Sequence, residues 1–329
     1  MSSKFIQELF EKISKLKVIV VGDVMVDNYI IGRADRLSPE APVPVVNESK
    51  FESRLGGAGN VALNLKVLGA NAVLCSAIGV GKEGDHLVEL LNAQDLSSLA
   101  IHRSEKRSTT TKTRVIANGA QIVRIDHEIA DDMDTLDSFL LQQHFEREVE
   151  DADVVIMQDY NKGVLHQENI EILIGIAHKA NVPVVVDPKK ANFLSFKNVD
   201  LFKPNLKEIK EGLNINSDLS TLEGVEMAIN EMQVKLGNKI SMVTMSERGV
   251  LVTGKNEKHH IAAHLRNISD VSGAGDTVIS IAACCLAAGC SLKQLAELSN
   301  LGGGLVCEEK GVVPISKDRL ISEAHRIGL

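Results

Sequence analysis

The sequence predicts an α/β fold in which a mainly parallel sheet is covered by helices and a small second sheet stands beside it. Two observations predict the main body: short apolar, β-branched runs recur along the chain, and most are followed by a stretch with helical period. A third predicts the appendage. The strand-like runs at residues 29–31 and 43–46 are separated by the polar segment GRADRLSPEAP, and Pro44 within the second implies an edge or non-hydrogen-bonded position.

In chain order, Phe5, Ile6, Leu9, Phe10, Ile13 and Leu16 have the spacing of an amphipathic helix. The charges among them fit a helix packed on the domain's own surface and exclude a signal peptide. Residues 18–21 read as a buried strand that delivers Gly22 and Asp23 at its C-terminal end. The alternation then runs through strand 72–78 and helix 84–91, strand 154–157 and helix 167–179, strand 184–186, and strand 201–203 with helix 205–213. Residues 110–116 and 121–125, joined across Ala117-Asn118-Gly119-Ala120, form a hairpin assigned to the small sheet. Further strands are expected at 240–244, 250–253 and 259–262, and 276–311 is mostly helical.

A chain of 329 residues with 44% hydrophobic content buries a large core, and one domain over 1–329 with a small appendage is expected. The net charge of -8 argues against coating nucleic acid or an anionic membrane, both of which need clustered positive charge. No apolar run approaches the roughly 18 residues of a spanning helix, so a cytoplasmic protein is expected. Cys75, Cys284, Cys285, Cys290 and Cys307 are odd in number and mostly lie in apolar surroundings, which reads as reduced core thiols rather than a zinc site.

Three glycine-rich stretches compete for a ligand. Gly79-Val80-Gly81-Lys82-Glu83-Gly84 has dinucleotide-type spacing but lacks the later acidic strand end, leaving a tight strand-to-helix turn as the better reading. No GxxxxGK[ST] phosphate loop occurs. Gly56, Gly57 and Asn60 precede a helix-spaced run; the glycines allow close backbone approach, and the Asn60 amide suits hydroxyls. Gly273, Ala274 and Gly275 lead through Asp276 into an apolar helix, so that backbone N–H groups of 273–276 can form an anion hole. Asp276 is either a capping carboxylate or the base that phosphoryl transfer needs beside such a hole.

With these residues in view, LGGAGNVALNLKVLGA and DVSGAGDT resemble the N- and C-terminal signatures of the ribokinase-like (PfkB) carbohydrate kinases, in that family's order and spacing. Asn205-Leu206-Lys207-Glu208 resembles its NxxE element, and residues 243–249 resemble its nucleotide-binding strand and turn, with Met245 departing from the usual polar residue. The resemblance covers essentially the whole chain. It implies a three-layer ribokinase-like α/β fold with a β-sheet lid near 28–52 and 108–126, a homodimer formed through that lid, and ATP and Mg2+ as cofactors, with a monovalent cation as a further candidate.

It also implies site residues: Asp276 as base beside the 273–275 anion hole; Asp23, Asp27, Gly56, Gly57 and Asn60 on sugar hydroxyls; Asn205, Ser246, Gly249, Asn300, Gly303 and Val306 around ATP; and Glu208 on magnesium through water. Local alternatives stand beside these. Asp23 could cap a neighbouring turn, Asn205 and Glu208 form a capping box, and Gly303 could be a helix-packing contact.

Residues 35–45, 159–163 and 186–189 resemble, more narrowly, the heptose 7-phosphate kinases of that family, which phosphorylate the anomeric hydroxyl of D-glycero-β-D-manno-heptose 7-phosphate toward ADP-heptose and lipopolysaccharide. With its end at Leu329 the chain resembles the stand-alone kinase rather than the form fused to a nucleotidyltransferase. Lys162, Lys189 and Arg114, in that order, are candidates for the substrate phosphate, each with a solvated surface cation as its alternative. Another PfkB-type sugar kinase and a non-catalytic nucleotide-binding regulator are the competing functions; the intact 273–276 turn argues against the latter.

Overall fold

The computed structural model describes residues 3–254, 256–264 and 266–329. Helix α1 (Ser3–Ile13) buries Ile6, Leu9, Phe10 and Ile13, the stripe its period dictates. Strand β1 (Lys17–Gly22) is followed by β2 (Val24–Leu37) and β3 (Pro44–Gly57), and α2 (Ala58–Leu68) starts where β3 stops. Then come β4 (Asn71–Gly79), α3 (Lys82–Ala93), β5 (Ile101–Ser104), β6 (Thr110–Ala117), β7 (Ala120–His127) and α4 (Thr135–Val149). The middle of the chain forms β8 (Val154–Gln158), α5 (Gln167–Lys179), β9 (Val184–Asp187), β10 (Leu201–Phe202), α6 (Leu206–Leu213) and α7 (Leu222–Leu236). It ends with β11 (Ile240–Thr244), β12 (Val250–Gly254), β13 (Glu257–Ile261), α8 (Ala274–Ala287), α9 (Leu292–Val306) and α10 (Lys317–Arg326).

The nine-stranded sheet has the order β13-β12-β11-β10-β9-β8-β1-β4-β5 and is parallel except for the β11–β12 and β12–β13 pairs. Its central strands β1, β8 and β9 are apolar on both faces because helices cover both. Val18 and Val20 of β1 join one apolar cluster with α1, α2, α8 and α9, while Ile19 and Val21 join the other with α4, α5 and α7. This is the expected three-layer α/β architecture. Helices α4, α7 and α10 and strand β5 were not anticipated from the sequence. In α4 and α7 the reason is visible: Leu136, Phe139, Met227 and Val234 are exposed apolar residues that blur the buried stripe.

The second sheet has the order β3-β2-β6-β7. Pro44 opens β3 at its edge, where a missing N–H costs no ladder bond. Asn118 and Gly119 both have positive φ, 53° and 81°, as the two-residue turn between β6 and β7 requires. β2 and β3 are each 14 residues long, well beyond the short runs legible in the sequence, because polar residues such as Arg33, Glu48 and Lys50 continue the pairing. All five cysteines are free, and no cluster of metal-ligating side chains occurs among the described residues. Nor is any described helix long and apolar enough to cross a membrane.

Candidate active site

The C-terminal ends of the central strands supply the polar side chains. Register places Gly22 opposite Gln158 and Gln158 opposite Asp187, so the residues ending β1, β8 and β9 stand in a row. Gly22 has φ 153°, and a Cβ there would lie 2.0 Å from the Gln158 carbonyl oxygen; only glycine allows this close strand crossing. Lys203, just past β10, is buried and places its ammonium 3.0 Å from Asp187.

Over this row stands the N-terminus of α8. Gly273 is its N-cap at φ 79°, a left-handed conformation suited to glycine. The first-turn N–H groups of a helix have no partner further back. Of these, Ala274 donates to Val271 O at 3.3 Å, so the open donors begin at Gly275. Gly275 is not at positive φ; a Cβ there would project toward Asp187 Oδ2 at 3.6 Å and Lys203 Nζ at 3.8 Å. The space in front of the helix is therefore lined by a buried ion pair, the Asp187 carboxylate and the Lys203 ammonium.

Asp276 is 3% exposed. Asn60 Nδ2 donates to its Oδ2 at 2.7 Å; Tyr160 Oη and Gln158 Nε2 donate to its Oδ1 at 2.7 and 3.2 Å. Burial pushes its carboxyl up to about 6, with Asp187 adding to the rise and the Asn60 and Tyr160 hydrogen bonds and Lys203 opposing it. Such a group is ionised at neutral pH yet basic enough to take a proton. An ordinary cap would bond its own helix's N–H groups; this carboxylate is instead met by side chains from α2, β8 and the following loop.

The loop after β8 is fixed by two further acids. Asp23 accepts from the N–H groups of Tyr160, Lys162 and Val164 at 2.8, 3.1 and 3.1 Å, so both its oxygens hold that loop. Asp159 accepts from Asn161 N at 2.7 Å and Lys189 N at 3.3 Å; burial, with Asp23 nearby, pushes it up to about 7.

Asp27 is 3% exposed and ion-paired with Arg114, whose guanidinium lies 5.4 Å from the Tyr29 ring centroid. Gly56 and Gly57 end β3, and a Cβ at either would meet Asp27 Oδ2 at 2.3 Å or Asp23 O at 2.4 Å. Lys162 pairs with Glu128 at 2.9 Å, and Glu128 also takes Lys112 at 2.7 Å.

Lys189 is drawn the other way, to Glu208 and to the Tyr160 ring, 5.4 Å from its centroid. Burial alone would lower its affinity for a proton, but Asp187 and Glu208 beside it raise it above the usual lysine range. Asn205 and Glu208 form the capping box, Glu208 N donating to Asn205 Oδ1 at 2.9 Å and Asn205 N to Glu208 Oε2 at 2.8 Å. Glu208 Oε1 thus faces Lys189, while its Oε2 is taken by the Asn205 N–H.

Ser246, at φ 54°, opens the short helical turn 246–248, and Gly249 closes it against β13. Asn300 Nδ2 donates to Ala262 O at 2.9 Å. A Cβ at Gly303 would meet Val278 at 2.6 Å where α8 and α9 touch, and Val306 is buried in the same core. Gly79, Gly81 and Gly84 make the strand-to-helix turn, with a Cβ at Gly84 only 2.1 Å from Gly79 O.

The structure therefore brings Asn60, Asp276 and the 273–275 turn together, and it adds Gln158, Tyr160, Asp187 and Lys203, to which sequence reasoning gave no role. One signal could have found three of them: each is the first polar residue after an apolar strand, as Asp23 is.

The model of the pfkB family of carbohydrate kinases matches residues 15–319. The Trichlorobacter lovleyi bifunctional protein HldE is 36% identical over 325 residues, 98% of this chain and 65% of that protein. The Chromohalobacter salexigens bifunctional protein HldE is 37% identical over 314 residues, 95% and 64% respectively. The chain thus spans about two thirds of the length of these curated relatives. Among solved structures, Escherichia coli phosphofructokinase-2 in complex with potassium has a TM-score of 0.78 at 20% identity, covering 96% of this chain and 99% of that one. Arabidopsis thaliana ribokinase complexed with ribose and ATP has a TM-score of 0.71 at 18% identity, covering 93% and 99%. At these identities the two likenesses concern the fold.

Proposed function

Since the chain belongs to the pfkB family of carbohydrate kinases and is an ATP-dependent sugar kinase, we propose that it phosphorylates the anomeric hydroxyl of D-glycero-β-D-manno-heptose 7-phosphate, in the cytoplasm, as a step toward ADP-heptose. The observation that carries the catalytic part is the convergence of Asn60, Gln158 and Tyr160 on one buried carboxylate, Asp276, at the N-terminus of α8. The choice of heptose 7-phosphate is supported by the resemblance at residues 35–45, 159–163 and 186–189.

In this reading Asp276 takes the proton of the acceptor hydroxyl as its oxygen bonds to the γ-phosphorus and the bond from that phosphorus to the β–γ bridging oxygen breaks, leaving ADP. The first-turn N–H groups of α8 and the Lys203 ammonium face the charge on the transferred group. Magnesium, held through water by Glu208, would supply charge neutralisation on the triphosphate. Asp27, Gly56, Gly57 and Asn60 border the sugar, with Asp23 fixing the loop beside it. Ser246 and Gly249 border the nucleotide, with Asn205, Asn300, Gly303 and Val306 shaping that side from α6 and α9.

We also infer a homodimer formed through the lid. Val43, Phe51, Ile122, Val123 and Ile125 are exposed there, and a half-sheet with that much apolar surface calls for a cover. Val45 and Val115, by contrast, are already half-buried.

The deciding experiment is ADP release measured with heptose 7-phosphate, unphosphorylated heptose, ribose and fructose 1-phosphate. The reading expects the heptose phosphate to have the highest kcat/KM; a higher value for any of the others overturns the substrate and leaves the kinase.

A further inference from the structure

Tyr160 stands out among the residues around Asp276. Asn60 and Gln158 are amides that could satisfy many acceptors, whereas Tyr160 carries a hydroxyl on a rigid ring and directs it at Oδ1 over 2.7 Å. The residue is fixed through its backbone, and one face of its ring is covered. Its backbone N–H is taken by Asp23 Oδ2 at 2.8 Å, the preceding Asp159 is bound by the N–H groups of Asn161 and Lys189, and the Lys189 ammonium lies against its face. So much fixation of one phenol would be idle if it only filled space.

On the reading of Asp276 as the base, we propose that Tyr160 is its positioning residue: the phenol donates to Oδ1, keeps the carboxylate ionised despite its burial, and leaves Oδ2, on the Asn60 side, to receive the proton of the acceptor hydroxyl.

The electrostatic surroundings show why such a donor is needed. Asp276 faces Asn60 from α2, Gln158 at the end of β8, Asp187 at the end of β9, Lys203 after β10 and Tyr160 from the loop after β8. Lys189 and Asp27 act at longer range, the one on Asp276 and the other on the phenol. Burial and Asp187 both favour the protonated, non-basic acid; Asn60, Tyr160 and Lys203 oppose them. A hydrogen bond donated to the ionised form stabilises that form, so its loss makes the carboxyl harder to ionise. The phenol is suited to this because burial, with Asp276 and Asp187 nearby, pushes its own ionisation well above the ordinary tyrosine value. It therefore remains a donor across the working pH range.

The test compares pH profiles of kcat/KM for wild type, Asp276→Asn and Tyr160→Phe on one sugar substrate. Titration of the substrate's own phosphate and of ATP is common to all, so a difference between profiles belongs to the enzyme. Tyr160→Phe should move the acid limb up by about one pH unit, a loss of about tenfold on the acid side that shrinks to less than about twofold near pH 9.

A second replacement keeps the shape of the site. Global substitution of 3-fluorotyrosine touches only Tyr160 and Tyr29, the two tyrosines of the chain, and its more acidic phenol should move the limb down. A uniform loss at every pH for Tyr160→Phe, with an unmoved limb for the fluorinated protein, would make Tyr160 a packing residue and overturn the inference. Wild-type turnover in Asp276→Asn would instead remove the base itself, and the inference would fall with it.

Discussion

Asn60, in the first turn of α2, and Asp276, in the first turn of α8, meet at 2.7 Å across 216 residues of sequence. Two glycine-rich stretches that look like separate ligand loops are thus one site, the first orienting the carboxylate that the second carries. Replacing that carboxylate by its amide, Asp276→Asn, keeps the volume and removes the base. Turnover should fall about 100-fold or more while ATP binding, measured by calorimetry, persists. Turnover within a few-fold of wild type would show that another group takes the proton.

The same carboxylate links pH to stability. Its ionisation is raised from 3.8 to about 6 in the folded chain, so its contribution to stability is complete below the unfolded value and is lost as pH rises through about 6. Asn cannot ionise. The melting temperature of Asp276→Asn, relative to wild type, should therefore climb between about pH 4 and about pH 6 and level off above; a constant difference would mean that the carboxyl titrates as it does in water.

Gly275 and Gly273 should fail differently. Gly275→Val introduces no left-handed strain but fills the space before Asp187 and Lys203, so catalysis should disappear from a chain whose circular dichroism is unchanged. Gly273→Ala forces a side chain to φ 79° and should cost about 1 kcal/mol or more of stability in denaturant unfolding. Retained activity in Gly275→Val would place the transferred phosphoryl group elsewhere.

Lys162 and Lys189 follow successive parallel strands, yet they point into different neighbourhoods. Lys162 meets Glu128 beside the lid, whereas Lys189 meets Glu208 and the Tyr160 ring. Lys162→Ala should lower the kcat/KM ratio of 7-phosphorylated to unphosphorylated heptose by about tenfold or more. Lys189→Ala should depress both substrates alike. Arg114, paired with Asp27, ranks below both as a phosphate ligand. If Lys162→Ala leaves the ratio unchanged, the phosphate is held by other groups.

The lid makes a prediction about mass. Ile125→Glu places a charge in the exposed apolar face of β7, where Ile125 is 58% exposed, and should halve the molar mass seen by light scattering without unfolding the protein. An unchanged mass would move the interface off this face.

Much of the fold was legible because the central strands are doubly buried: residues 18–21, 154–157 and 184–186 are continuous apolar runs of strand length, rich in β-branched residues. The capping box at Asn205 and Glu208 was legible for the same local reason. What escaped depended on distance in sequence. Gln158, Asp187 and Lys203 could be picked out locally as strand-end polar residues, but that they and Tyr160 converge on one site follows only from the strand register, which no local spacing encodes. Asp23 was legible as a strand-end carboxylate, but its three backbone partners lie more than 130 residues away.

β2 and β3 start and finish inside the catalytic floor: β2 leaves directly after Asp23, β3 returns directly before α2, and Ala58 N bonds Asp23 O at 2.9 Å where they part. The two strands therefore leave the main body as one ribbon, joined at its root by that bond. Each arm is about 45 Å long at the usual rise per residue. The root of this ribbon runs without a break into α2, whose third residue is the Asn60 that meets Asp276. A graft that exchanged the two strands for shorter ones is therefore expected to shift the pH profile of turnover, although it replaces no residue in contact with Asp276.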